Sequence, residues 1–123
     1  MLTSIAYGFA ILLDLAVCAI GVRFFLAPRV AAAGYGVAAK QDGDAAYLTI
    51  KAVRDTTFGI LGLTLLGFAG ARAAGLFMLV GALVPLGDTA IVLRHGGSRA
   101  IAFGVHFATA VALLIDAGLL LSL

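Results

Sequence analysis

The stretch "TIKAVRDTTFGILGL", Thr49 to Leu63, places Lys51, Arg54 and Asp55 at the head of a long apolar run. In a water-soluble helix such charges mark a solvated face. In a helix entering a bilayer they must turn inward and pair, or reach back to the headgroups. The rest of the chain decides between these readings. Of 123 residues, 63% are hydrophobic and 11% are charged, and the mean hydropathy is +1.18. Soluble domains sit near half apolar and a quarter charged, so this is the composition of an integral membrane protein.

Four apolar segments are long enough to cross a bilayer, which takes about 20 helical residues. They fall near residues 4–26, 46–69, 73–93 and 98–121. Pro28 stops the first, Gly70-Ala71-Arg72 forms a tight second connection, and His95-Gly96-Gly97 forms the third, with Ser98 as N-cap. Short connections make sequential helices antiparallel neighbours. The predicted fold is therefore all-α, a four-helix antiparallel transmembrane bundle spanning residues 1–123 as one membrane domain. Residues 27–45 are too long for a simple turn and too rich in Ala for a plain linker; they are expected to form a short interfacial helix or lid. Small-residue spacings such as Gly67/Ala71 and Gly104/Ala108 suit close helix packing.

Charge fixes orientation and excludes some partners. Arg23, Arg29, Lys40, Arg94 and Arg99 lie around the first and third connections, against Arg72 alone at the second. That bias predicts these two connections to be cytoplasmic and both termini extracytoplasmic. The net charge of +2 comes from dispersed residues with no basic stripe, so nucleic acid is not an expected partner. A single cysteine, Cys18, permits no internal disulfide and reads as a small buried hydrophobe. With no H-x₃-H or C-x₂-C spacing and no Gly-rich phosphate loop, neither a metal nor a cofactor is expected.

Depth then gathers the polar residues. At 1.5 Å per residue, Lys51, Arg54 and Asp55 fall roughly 6–14 Å below the cytoplasmic face, Asp88 roughly 8 Å, His106 roughly 12 Å and Arg23 roughly 5 Å. One layer thus receives ionisable groups from all four helices. Helical periodicity puts Lys51, Asp55, Phe58 and Gly62 on one stripe, Phe77, Gly81, Val84 and Asp88 on a second, and His106, Thr109, Leu113 and Asp116 on a third. Pro85 frees a backbone carbonyl one turn before Asp88. These stripes predict a cavity with one polar end and an apolar floor. Asp14, near mid-bilayer, and Asp116, toward the outer face, are expected to be neutral or hydrogen-bonded to nearby Ser or Thr.

"GVRFFLAP", a first connection bearing glycine and tyrosine, "AYLTIKAVRDTTFGIL", "LVPLGDTAIVLRHGG" and "HFATAVALL" together resemble an uncharacterised family of small four-helix membrane proteins, loosely grouped with DoxX-like proteins. The resemblance spans nearly the whole chain. It implies the four-helix fold and points to Arg23, Lys51, Arg54, Asp55, Asp88 and His106 as the polar positions. Its fungal members look like components of secondary-metabolite pathways in which epoxide opening is suspected.

The sharpest functional expectation is an intramembrane acid–base enzyme acting on a lipophilic small molecule, by epoxide hydrolysis or epoxide-opening cyclisation. Such a reaction needs a carboxylate to activate the nucleophile and an acid to protonate the leaving oxygen. Asp55 or Asp88 is the expected base, Arg54 the orienter between them and His106 the acid, with Lys51, Arg23, Phe58 and Phe77 binding ligand. The alternatives are a membrane binding or transport protein for an anionic or lipid-like ligand, working as a homo-oligomer, and an accessory subunit whose charges only set helix register.

Overall fold

The computed structural model describes all 123 residues and is entirely helical. Four long helices, α1 (Leu2–Leu26), α3 (Ala45–Ala69), α4 (Ala71–Arg94) and α5 (Arg99–Leu121), each have the length and hydropathy of a membrane span. Their ends fall within two residues of the expected ones. Only 25 residues are buried, while large side chains such as Phe68, Leu83 and Ile60 face outward. In water such a surface would aggregate; against lipid tails it is the matched surface. The chain is an integral, multi-pass membrane protein.

The second connection is tighter than expected. Gly70 alone makes it, at a φ of 85° that residues with a Cβ rarely adopt, and α4 resumes at Ala71. Ser98 caps α5 by accepting a hydrogen bond from the Ile101 amide at 3.1 Å. Between α1 and α3 lies α2 (Pro28–Tyr35), with Pro28 in its first turn and Gly36, at φ 103°, ending it in the left-handed conformation. Arg29 donates from its guanidinium to the carbonyls of Lys40 and Gln41, and Asp44 accepts from the Lys40 amide at 2.7 Å. These bonds fold the first connection back over one end of the bundle. A Cβ at Gly36 would meet Val92 of α4 and Ile101 of α5, so this connection also touches the other helix pair.

Within the membrane the helices pair through small residues, as expected where lipid removes the hydrophobic drive for helix association. α1 lies against α3 at Gly21, Gly59 and Gly62: any Cβ at Gly21 would enter Thr56 and the Ala52 carbonyl, and at Gly59 it would enter Cys18 and the Asp14 backbone. Ala6 and Ala10 of α1, Leu66 of α3, Ala74 and Met78 of α4, and Ala117 and Leu120 of α5 seal the end that carries both termini. Phe24, Ala31, Ala32 and Ala52 join α1, α2 and α3 at the opposite end. Hydroxyls are satisfied locally, since Thr56, Thr64, Thr89 and Thr109 each donate to the carbonyl four residues back at 2.7–2.8 Å. The space between the two apolar clusters is left to the cavity.

Gly59→Ala must push α1 and α3 apart and is expected to cost about 1–3 kcal/mol. Gly67→Ala, where a Cβ meets nothing, should be neutral or stabilising by up to about 1 kcal/mol. Unfolding titrations of the two variants in the same detergent check the contrast, and equal effects would remove the packing explanation.

Candidate functional site

A cavity of about 320 Å³ lies between the two apolar clusters. Along α1 it is lined from Leu13 to Phe24, a span of roughly 16 Å at 1.5 Å per residue. Its walls are mostly apolar. The stripe Phe77, Gly81, Val84 and Asp88 of α4 lines it throughout, as do His106, Thr109 and Leu113 of α5 and Asp55 and Phe58 of α3. Phe58 and Phe77 face each other across it with ring centroids 6.4 Å apart.

The polar end is organised by Tyr35, the last residue of α2. Its hydroxyl donates to Asp88 Oδ2. Its ring lies 4.2 Å from the His106 ring and 5.7 Å, edge-on, from Phe24. Its carbonyl accepts from His106 Nε2 at 2.6 Å. A carbonyl can only accept, so Nε2 carries the hydrogen and Nδ1 is turned toward Asp88 Oδ2, 4.0 Å away. That gap is too long for a hydrogen bond; it suits an ion pair when Nδ1 is protonated, or a bridging water. Burial, with the Asp88 carboxylate next, holds the Tyr35 hydroxyl proton on well above the usual phenol range. Tyr35 is therefore a fixed donor at neutral pH.

Asp55 forms the other half of this end. It is buried and accepts from Lys51 Nζ at 2.8 Å, an i,i+4 pair along α3. The same ammonium stands 4.1 Å from the Tyr35 ring centroid and 5.1 Å from that of Phe24. Cation–π attraction of about 0.5–2 kcal/mol thus ties the Lys51–Asp55 pair to Tyr35. Tyr35, Phe24 and Asp88 also line a second hollow, bordered by Lys51, Asp44 and Tyr47, so the Tyr35 ring is the partition between the two.

Arg54 is the main correction to the sequence reading. It is exposed, forms no ion pair and does not line the cavity. Neighbouring residues on a helix point about 100° apart, so with Asp55 turned to the interior Arg54 is turned out, and Lys51, one turn away, becomes the partner. Arg23 does line the cavity, its guanidinium lying beside Gly34 of α2, and it too has no carboxylate partner. Of the two alternatives expected for Asp14 and Asp116, neutral or hydrogen-bonded to Ser or Thr, the second is not met: Asp14 Oδ2 and both Asp116 carboxyl oxygens have no hydrogen-bond partner. The helix hydroxyls are already committed to backbone carbonyls.

Tyr35 was missing from the sequence-derived site. The only hint is the run "GYG", residues 34–36, which puts an aromatic with a polar tip between two glycines in an Ala-rich connection. His106 carries a further mark that sequence does not show, since α5 widens to a π-helical turn over Ala102–Phe107. Such turns shift side-chain direction and are frequent at functional sites.

Fold and site define a small multi-pass membrane protein whose four helices and one cap enclose an apolar cavity with a cluster of polar and ionisable side chains at one end. The chain belongs to the family of the domain of unknown function DUF4267, which matches residues 15–120. That span includes Tyr35, Lys51, Asp55, Asp88 and His106. No curated protein and no solved structure matches the chain.

A phenol held neutral in the fold above its ordinary value near 10 stabilises the fold fully below that pH, and the stability falls as pH rises beyond it. Thermal melts between pH 9 and 11 should show a shallower decline for Tyr35→Phe than for the wild type. Parallel declines would mean that the Tyr35 proton is not part of what the alkaline side disrupts.

Proposed function

We propose that this protein is an intramembrane acid–base enzyme for a lipophilic small molecule, with epoxide opening by water or an internal hydroxyl as the sharpest form of that chemistry. One observation carries the reading: an apolar cavity that ends on Asp88, Tyr35 and His106, with the Asp55–Lys51 pair alongside. A mostly apolar pocket with a few convergent polar groups is the usual form of a small-molecule site.

In this scheme Asp88 is the base, fixed in direction by the Tyr35 hydroxyl. It takes a proton from a water or substrate hydroxyl, whose oxygen attacks a ring carbon. The carbon–oxygen bond of the epoxide breaks, and the leaving oxygen takes a proton from His106 Nδ1. Asp88 then returns its proton to Nδ1 through a water bridging the 4.0 Å gap, so both groups are reset and the net reaction adds water, or closes a ring without it. Asp55, paired with Lys51, is the alternative base, and the Lys51 ammonium the alternative acid. The orienting role expected of Arg54 passes to Tyr35 and Lys51. The affinity with DoxX-like proteins belongs to this proposal as well.

Asp88→Asn should lower turnover of lipophilic epoxides by about 10²–10⁴, the usual worth of one positioned base, with little change in the melting temperature. Asp55→Asn should have a smaller effect. Undiminished turnover in both variants, measured on protein in nanodiscs, would end the assignment.

A second reading, a non-catalytic protein for an anionic or lipid-like ligand, has one observation in its favour: Arg23 is a cavity-lining cation without a partner. Native mass spectrometry separates the two, because an unconverted anionic ligand that leaves with Arg23→Gln supports binding. The basic residues flanking the first and third connections favour a cytoplasmic place for the polar end, with both termini outside. A cysteine introduced at Ser98 should then resist a membrane-impermeant thiol reagent in intact cells; ready labelling would invert the topology.

A further inference from the structure

Asp14 and Asp116 take no part in the chemistry above. Both are essentially fully buried, at 3% and 0% exposure. Neither forms an ion pair, and three of their four carboxyl oxygens have no partner of any kind. Asp14 lines the cavity and its carboxyl lies flat on Gly62 of α3, where any side chain would collide with it. Gly62 is seven residues from Asp55, so Asp14 stands roughly 10 Å deeper than the polar end. Asp116 of α5 neighbours Ala117, which packs with Ala6 and Ala10 of α1, and does not itself line the cavity. The other groups around Asp14 supply no counter-charge: Cys18 is the titratable neighbour on α1, α3 offers Gly59 and Gly62, and α4 offers Met78.

An ionised carboxylate taken out of water costs several kcal/mol unless a cation and hydrogen bonds compensate, and the protein provides neither here. Asp14 lines the cavity, so a ligand there can supply the partner that its carboxyl lacks. A neutral hydroxyl would satisfy one oxygen. An amine does more, since it shares one proton with the carboxyl and forms a charge-assisted bond about twice as strong as a neutral one.

We infer that Asp14, backed by Asp116, forms a second subsite at the floor of the cavity that binds the amino group of a lipophilic amine. The amine enters with its apolar part along Phe77, Val84 and Leu113 and its nitrogen on Asp14. Asp116 acts through Asp14, as a positioning residue that adds a second negative pole behind it. The inference rests on the cavity alone and not on the acid–base chemistry at the other end.

n-Octylamine and n-octanol serve as matched probes, titrated calorimetrically into wild-type, Asp14→Asn and Asp116→Asn protein in identical nanodiscs, so that partitioning into lipid cancels between variants. Octylamine should bind the wild type at least tenfold more tightly than Asp14→Asn, octanol should differ by less than threefold, and Asp116→Asn should fall between for the amine. Equal octylamine affinity in wild type and Asp14→Asn would overturn the inference, as would an equal loss for octanol. Should Asp14→Asn fail to fold, a lipophilic carbodiimide supplies the test on unaltered protein. Mass spectrometry should show Asp14 modified, with N,N-dimethyloctylamine, which cannot be coupled as an amide, protecting it, and labelling indifferent to that amine would be decisive against the subsite. None of these readouts depends on turnover, so their failure leaves the acid–base reading to its own test at Asp88.

Discussion

Lipid offers no hydrogen-bonding partner, and this constraint governs the molecule. Each polar group that the chain carries into the bilayer must be satisfied by the chain or face a space it encloses. The threonine hydroxyls meet the constraint locally, by returning to the carbonyl one turn back. Lys51 meets it along its own helix, with Asp55. Asp88 and His106 cannot, and they are completed by Tyr35, a residue from outside the membrane spans. The cap is thus part of the electrostatics of the bundle.

The same constraint explains how a cavity survives in so small a protein. Lipid does not drive helices together, so contact comes from glycines and alanines that let backbones approach. Those residues are concentrated where α1 meets α3 and where the four helices meet near the termini. Between the two apolar clusters larger side chains, Phe58 and Phe77 among them, line the space together with polar groups. Close α1–α3 contact and a chamber beside it therefore accompany one distribution of side-chain sizes.

Legibility in the sequence followed the same division. The α4 stripe was readable from periodicity because the helical period carries across the interruption at Ala82, and each of its four residues lines the cavity. Asp55 was readable as an inward charge, and helical periodicity already set Lys51 on its stripe; the orienting role expected of Arg54 was not fulfilled, because the same turn that brings Lys51 beside Asp55 turns Arg54 away. Tyr35 could not be placed, because its position depends on where Pro28 and Gly36 begin and end a short helix and on how Arg29 pins the following loop. Nor could the isolation of Asp14 and Asp116 be foreseen, since it depends on which hydroxyls the backbone has already taken.

By itself the sequence determined that this chain is a four-helix membrane protein with its ionisable groups gathered in one layer, because hydropathy, length and helical period are local properties summed along the chain. Tertiary structure decided which of those groups meet. It set Tyr35 between Asp88 and His106, brought the Tyr35 ring against the Lys51 ammonium, and left Asp14 and Asp116 without a counter-ion. Such pairings depend on distances between residues far apart in the chain, and only the packed helices fix them.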